Sequence, residues 1–300
     1  MFGHKRLTEC YFKAIRNQDT IDVNDETRII FFSDVHRGDN SMSDEFAHNQ
    51  NVYYHALDYY FKNEYTYIEI GDGDELWEYS KFSHIRRAHS DVFCLLKKYF
   101  DTKRLFYLFG NHNMAFRNEY ISKHELTHFY DEYLDTKTPL FPGIKVKESL
   151  ILKDHQTDKE ILVVHGHQGD FMNDQGWIIS LFLMRIFWRY MHMVGLRNPS
   201  SPSKNRVKRH KIEKSFSKWI RHNHIGILCG HTHRPKLPDQ SEAIYLNSGC
   251  CVHPRGITGI ELVGRKFYLI HWSIIPDDQG RLAIRKKIMK GPLSFDDIRL

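Results

Sequence analysis

Five short clusters in the chain carry side chains that bind metals or move protons, and each follows an apolar run. "FFSDVHRGD" supplies Asp34 and His36, and "IEIGDGDE" supplies Asp72 with Glu75 close behind. "YLFGNHN" supplies Asn111 and His112, "VVHGHQGD" supplies His165 and His167, and "ILCGHTHRP" supplies His231 and His233. The second cluster is the most crowded: "GDGDELWE" (71–78) places four acids in eight residues. Carboxylates this close repel one another unless something positive lies between them. Carboxylates and imidazoles mixed with an amide oxygen suit manganese, iron or zinc better than calcium or magnesium. Seven candidate ligands exceed what one tetrahedral zinc takes. They match two ions sharing a carboxylate, which at roughly 3.5–4 Å apart can clamp a phosphate and generate a hydroxide between them. Asp72, the first acid to leave its strand, is the expected bridge, rather than Asp74.

Each cluster alone has a plainer reading. A strand-end aspartate is often a turn former, "GNHN" is an ordinary turn, and a lone His165 is a core histidine with its hydrogen bonds satisfied. Two histidines in "GHTH" directly after a buried strand are harder to dismiss. The five in order, each at a strand end, are not independent coincidences, because ligands of open α/β sheets bind outside the carboxyl ends of the strands. Glycine flanks four of the five clusters, which lets the chain turn sharply and approach an ion closely.

The elements that position these clusters show in the apolar periodicity. Residues 1–27 form a helix and a loop. Strands are expected at 28–36, 65–70 and 104–109, with helices at 45–63, 83–100 and 121–134 between and after them. From there the apolar period shortens to two. "IKVKESLILKD", "EILVVH" (160–165), "IGILC" (225–229) and "EAIYLN" (242–247) read as strands, and 256–274 as a hairpin turning at "VGRK". The order implies two packed sheets with helices outside, in a single α/β domain over 1–300.

Residues 171–224 interrupt this plan with helical periodicity between two strands. The apolar half, "WIISLFLMRIFWRYMHMVGL" (177–196), has about the length of a membrane span. Arg185 and Arg189 in its middle argue against spanning. The turn "RNPSSPSKN" leads to a basic half that offers Arg206, Lys208, Arg209 and Lys211. In the plain reading the two halves pack as a surface hairpin and the basic run is a solvated face. In the functional reading the segment is a helical cap over the site. Arg206, Lys208 and Arg209 then meet substrate, and 177–196 meets an acyl chain or, peripherally, an anionic membrane surface.

The composition is 41% hydrophobic and 27% charged over 300 residues, which excludes a disordered chain and is ordinary for a globular one. The net charge of +6 suits a phosphate-bearing partner without requiring one. Five scattered cysteines and no secretory pattern fit a reducing cytoplasm. Cys250 and Cys251 read as small buried residues beside the site.

In the order "DVH", "GDGDE", "GNH", "HGH" and "GHTHRP", the chain resembles the calcineurin-like metallophosphoesterases over roughly residues 28–275. The resemblance implies a double-sheet sandwich flanked by helices (α/β/β/α) and hydrolysis of phosphoesters with two metals, manganese first, iron or zinc otherwise. It implies that Asp34, His36 and His233 hold one ion, that Asn111, His165 and His231 hold the other, and that Asp72 bridges. It gives His112 the role of binding the phosphate or protonating the leaving oxygen, and leaves His167 secondary. The family's third motif commonly ends in an acid that orients this histidine. Asn113 stands there instead, so an amide or another residue must do that work. "GDGDELWE", the long insertion and "YLNSG" resemble the UDP-2,3-diacylglucosamine pyrophosphatase-like branch, whose insertion is a lid that binds acyl chains. His112 and "HGHQGD" depart from that branch's usual arginine and "HGD".

Together these features point to a cytoplasmic, metal-dependent phosphoester or pyrophosphate hydrolase, membrane-associated where the cap touches lipid. Its expected substrate is a phosphorylated small molecule, nucleotide-linked or lipid-like. The alternative is a phosphodiesterase or nuclease acting on nucleic acid, for which "KNRVKRHKIEK" offers phosphate contacts. No aromatic platform is interleaved with that run, so nucleic acid is not the expected partner. A non-catalytic scaffold could reuse the fold, but has no need to keep charged acids together.

Overall fold

The computed structural model describes residues 2–131, 134–183 and 205–299. In chain order the first half runs α1 (Phe2–Arg16), β1 (Thr20–Val23), β2 (Arg28–Phe32), α2 (Gln50–Lys62), β3 (Thr66–Ile70), α3 (Phe82–Ala88), α4 (Ser90–Asp101), β4 (Leu105–Leu108), α5 (Glu119–Thr127), β5 (His128–Asp131) and β6 (Thr136–Pro139). The second runs β7 (Val146–Lys147), β8 (Ser149–Asp154), β9 (Lys159–Val164), α6 (Phe171–Asp174), α7 (Trp177–Leu183), α8 (Arg206–Asn223), β10 (Gly226–Cys229), β11 (Tyr245–Asn247), β12 (Ile257–Val263), β13 (Lys266–Pro276) and β14 (Leu282–Ser294).

The runs that lead into the clusters are strands buried on both faces, which is why they read as continuous apolar stretches. In β2, Ile29 and Phe31 face a second sheet while Ile30 and Phe32 face helices. The larger sheet has seven strands in the order β14-β13-β12-β2-β3-β4-β7, with β2, β3, β4 and β7 parallel. The smaller has five, β1-β8-β9-β10-β11, in which β9, β10 and β11 are parallel. Ile68, Ile70, Leu108, Leu150, Val163, Leu228 and Leu246 fill the space between them. Helices α2 and α4 cover the outside of the larger sheet, and α1 and α8 the outside of the smaller. The result is the expected α/β/β/α sandwich. Among the described residues no helix is long and apolar enough to cross a membrane.

Several expected elements differ in detail. The helix expected over 83–100 breaks at His89, whose buried ring reaches Asp44 Oδ2 (2.8 Å) and packs edge-on against Phe46. The helix expected to reach residue 134 stops at Thr127, and the chain enters a two-stranded hairpin in which Phe129 stacks under Arg86. The basic half of the segment expected to cap the site, α8, buries Ile212, Phe216, Trp219 and Ile220 against α1 and the smaller sheet, so this helix is a core layer. Residues 184–204, which hold most of the apolar stretch 177–196, lie outside the described residues. Strand β14 was not expected at all.

One buried polar network ties the larger sheet to the loop that carries the second cluster. Arg37 is fully buried and meets both oxygens of Glu69 on β3 (2.7 and 2.8 Å) and Asp74 Oδ1 (2.8 Å). Tyr107 on β4 donates to Asp74 Oδ2, and Tyr67 donates to Glu69 Oε2 at 2.8 Å. Removing one member of such a set strands the remaining charges in a low-dielectric interior. Arg37→Met is therefore expected to destabilise the fold by about 3–5 kcal/mol in urea denaturation. A loss no larger than the ~0–1 kcal/mol of an exposed pair would show that the network is not what holds this loop.

Candidate metal centre

The candidate residues leave the carboxyl ends of five strands: Asp34 and His36 after β2, Asp72 after β3, Asn111 and His112 after β4, His165 after β9, His231 and His233 after β10. The loops after β2 and β3 are zipped together by Asp34 N to Gly71 O (3.2 Å), His36 N to Asp72 O (2.9 Å) and Arg37 N to Gly73 O (2.9 Å). Asp34, His36, Asp72, His231 and His233 all adopt left-handed backbone, with φ between 50° and 65°. Such conformations cost energy for residues with a Cβ and gather at functional sites. The loops also need glycine: a Cβ on Gly110 would run into Asp72 Oδ1, and one on Gly73 into the Glu69–Arg37 pair.

Each acid divides its two oxygens. Asp34 Oδ2 accepts from Ser33 Oγ (2.6 Å) and His231 N (2.8 Å). Its Oδ1 faces three imidazoles, at 3.0 Å from His233 Nε2, 3.8 Å from His36 Nε2 and 4.0 Å from His165 Nε2. Asp72 Oδ1 accepts from His112 N (2.8 Å), and its Oδ2 lies 3.0 Å from His165 Nε2 and 4.0 Å from His36 Nε2. His165 Nδ1 donates to Ile70 O (2.8 Å) and His36 Nδ1 meets Glu75 Oε2 (2.8 Å), so both rings present Nε2 inward. A metal-binding imidazole is oriented in this way, through its other nitrogen.

Two sets of three ligand atoms, each within 4.8 Å of one another, emerge: Asp34, His36 and His233, and Asp72, His165 and His231. A third such set joins His36, Asp72 and His112. Asp34 Oδ1, His36 Nε2, Asn111 Oδ1, His165 Nε2 and His231 Nε2 are buried and make no aligned hydrogen bond. A buried polar atom left unpaired costs about 1–3 kcal/mol, so the unpaired atoms of Asp34, His36, His165 and His231, which belong to these sets, fit cations. Burial alone would raise the Asp34 and Asp72 carboxyls. The imidazoles of His233 and His165 for the first, and of His165 and His112 for the second, hold both well below the usual carboxylate range. Burial would likewise depress His233, but Asp34 holds it up at about 10.

The second cluster's acids have separate tasks. Asp72 faces the imidazoles, Asp74 is bound by Arg37, and Glu75 binds two histidines. Glu75 Oε2 lies 2.8 Å from His36 Nδ1 and 2.6 Å from His112 Nδ1, the latter a charge contact off the line of the ring N–H. Burial opposes its ionisation, yet His112 and His36 push the carboxyl down to about 2. Glu75 thus stands in for the acid that Asn113 replaces. The Asn113 amide oxygen instead accepts from Gly110 N (2.6 Å) and closes the loop. His112 is half-buried and stacks on Trp77, with ring centres 4.2 Å apart.

His167 lies behind the centre, fully buried, with its ring 5.5 Å from that of His165 and its Nε2 3.7 Å from Asp174. Burial, with His165 and His231 beside it, drives it towards the neutral form. Asp170 was missed by sequence reasoning: its Oδ2 lies 3.8 Å from His231 Nε2 and 2.7 Å from Lys208 Nζ. The "D" of "HGHQGD" was the available signal. Of the three cations expected to meet substrate, Lys208 therefore reaches the rim of the centre already paired, while Arg206 is exposed and Arg209 half-buried at the start of α8.

Among solved structures the chain is similar to vacuolar protein sorting 29 from Cryptosporidium parvum, at 12% identity and a TM-score of 0.37, over 88% of this chain and 98% of that one. It is also similar to an archaeal phosphodiesterase, at 12% identity and a TM-score of 0.32, over 88% of this chain and 100% of that one. No curated protein matches the sequence. The family model described as calcineurin-like phosphoesterase matches residues 27–235, a span that takes in all five clusters, and the chain belongs to that family.

Proposed function

We propose that the protein hydrolyses a phosphoester or pyrophosphate bond with two transition-metal ions. Asp34, His36 and His233 would hold one, Asn111, His165 and His231 the other, with Asp72 between them. The observation that carries this reading is that three buried, unpaired imidazole nitrogens, of His36, His165 and His231, gather with the free oxygens of two ionised carboxylates. Three oxygen and four imidazole donors favour manganese, with iron or zinc next. Bound there, the ions would supply positive charge to the phosphate and an activated water.

The chain's own residues supply the rest. With His112 Nδ1 held against Glu75, its Nε2 side is left to face substrate and to hold the proton that the leaving oxygen takes up. Trp77 beneath the ring and His36 at its edge, 4.6 Å between centres, keep it from turning.

Beside His112 lies a cavity of about 190 Å³ walled by Trp77, Phe82, Met114 and Phe116, and by Trp177 and Leu181 of α7. An apolar cavity of about 150 Å³ accepts benzene. This one suits a ring or a short alkyl group on the leaving side, which favours an amphiphilic phosphorylated substrate over nucleic acid. Two of its walls come from the beginning of the insertion, which supports a cap contributed by α7 rather than by α8.

After manganese loading, elemental analysis is expected to find about two ions per chain, and Asp72→Asn to lose metal and activity together. One ion or none in the parent protein would end the two-ion reading. His112→Ala is expected to keep its metal and to lose about 10²–10⁴-fold in kcat, less on substrates whose leaving group needs no proton. Should that variant empty the site, His112 is a ligand. Replacing 177–204 by a Gly/Ser linker, with α8 kept, is expected to spare a small aryl phosphate and to weaken the amphiphile by roughly 10-fold or more. Unchanged discrimination between the two substrates would refute the cap.

A further inference from the structure

Strand β14 is the outer strand of the larger sheet, and its free edge has no partner among the described residues. It runs for 13 residues. Strand β12 pairs with β13 only from Lys266 to Trp272, whereas β13 continues to Pro276 and β14 stays paired with it as far as Leu282. The two strands therefore project as an arm. Since β12 is antiparallel to β2 and β13 to β12, β13 runs in the direction of β2. The arm extends past the end of β2 from which Asp34 and His36 leave.

The arm mixes exposed apolar side chains with cations: Ile275, 46% exposed, shares the face of Arg285 and Lys287, and Met289, 50% exposed, follows Ile288 where the pairing is irregular. Ile274, Leu282 and Ile288 are 51%, 75% and 52% exposed. The register places them on one face through the pairs Ile274–Ile284, Pro276–Leu282 and Ile270–Ile288. Arg285 and Lys287 are exposed on the opposite face, across from Ser273 and His271. Arg281 is paired with Asp277, Lys286 with Glu261 and Lys290 with Asp239. Arg285 and Lys287 have no ion pair among the described residues.

A second copy of the chain fits this edge poorly. Every antiparallel register centred between Arg285 and Ile288 sets two cations of Arg285, Lys286, Lys287 and Lys290 opposite each other, which is destabilising. Lysines on an outer strand also deter unwanted pairing by themselves. Deterrence does not account for five large apolar side chains, Ile274, Ile275, Leu282, Ile288 and Met289, left in water beside them. A surface that is apolar within and negatively charged outside accommodates both faces when it meets the β14 edge.

We propose that the β13–β14 arm docks on an anionic lipid bilayer surface and turns the end of the sheet that carries the candidate centre towards it. Asp277 and Asp278 at the turn keep the arm lying along the surface rather than entering tip first. The docking does not depend on the reaction proposed above.

The test is flotation of the full chain with phosphatidylcholine vesicles, with and without phosphatidylglycerol. Binding is expected with the anionic lipid only, weakening as salt screens the exposed charges. The pair Arg285→Glu with Lys287→Glu, and separately Ile274→Ser with Leu282→Ser, are each expected to lower binding at least about 10-fold. Their hydrolysis of a soluble aryl phosphate and their melting should match the parent, which reports that the fold is intact. If either pair disturbs the fold, Arg285→Gln with Lys287→Gln gives the same reading with less change in charge. Equal binding to both vesicle types, or variants that float like the parent, would overturn the proposal. So would a dimer in sedimentation that these substitutions dissolve, which would give the edge to a second copy.

Discussion

Two carboxylates, Asp34 and Asp72, stand almost fully buried a few ångströms apart across shared imidazoles. Ionised acids so placed repel each other and lose their water. Each is made tolerable in the same manner: one oxygen accepts backbone N–H from the opposite loop, His231 N for Asp34 and His112 N for Asp72, and the other is left to the centre. That arrangement dictates much of the surrounding chain. The loops must come close enough for N–H groups to reach side-chain oxygens, which requires glycine at 110 and left-handed backbone at the acids themselves. Strands buried on both faces supply the rigidity to hold such conformations.

Beneath this layer sits a second one made of the remaining charges of the same loops. Arg37, three residues after Asp34, locks Asp74 and Glu69, so the loop after β3 is fastened two residues beyond Asp72. Glu75 then reaches across to both His36 and His112. A candidate ligand and a candidate proton donor thus lean on one carboxylate oxygen. A movement at either imidazole is felt by the other through that oxygen.

The parts legible in the sequence were those whose chemistry is local. Asp34, Asp72, Asn111 and the paired histidines announce themselves by type and by following apolar strands, and the order of the strands gave the sandwich. What stayed hidden depends on contacts distant in sequence. Nothing near residue 75 says that Glu75 takes over from the acid missing at Asn113, because its partner lies 37 residues on at His112. The basic charges of α8 masked the four-residue stripe Ile212, Phe216, Trp219 and Ile220 that packs it into the core. The kink at His89 is a tertiary effect, set by Asp44 across the fold. The apolar positions of β14 are interleaved with lysines and arginine, so its alternation reads as a polar segment until β13 is placed beside it.

The two ends of the larger sheet are finished in opposite ways. At one, β7 is two residues long and offers little to pair with. At the other, β14 is long, regular over most of its length and uncovered. A short outer strand is the usual guard against association. The same chain that truncates one edge leaves the other extended, apolar and basic, on the end of the sheet where the candidate ligands emerge. Beside His112, α7 leaves Ile178 and Phe182 exposed while Trp177 and Leu181 wall the cavity there. Exposed apolar side chains thus stand on α7, beside that cavity, as well as along β14.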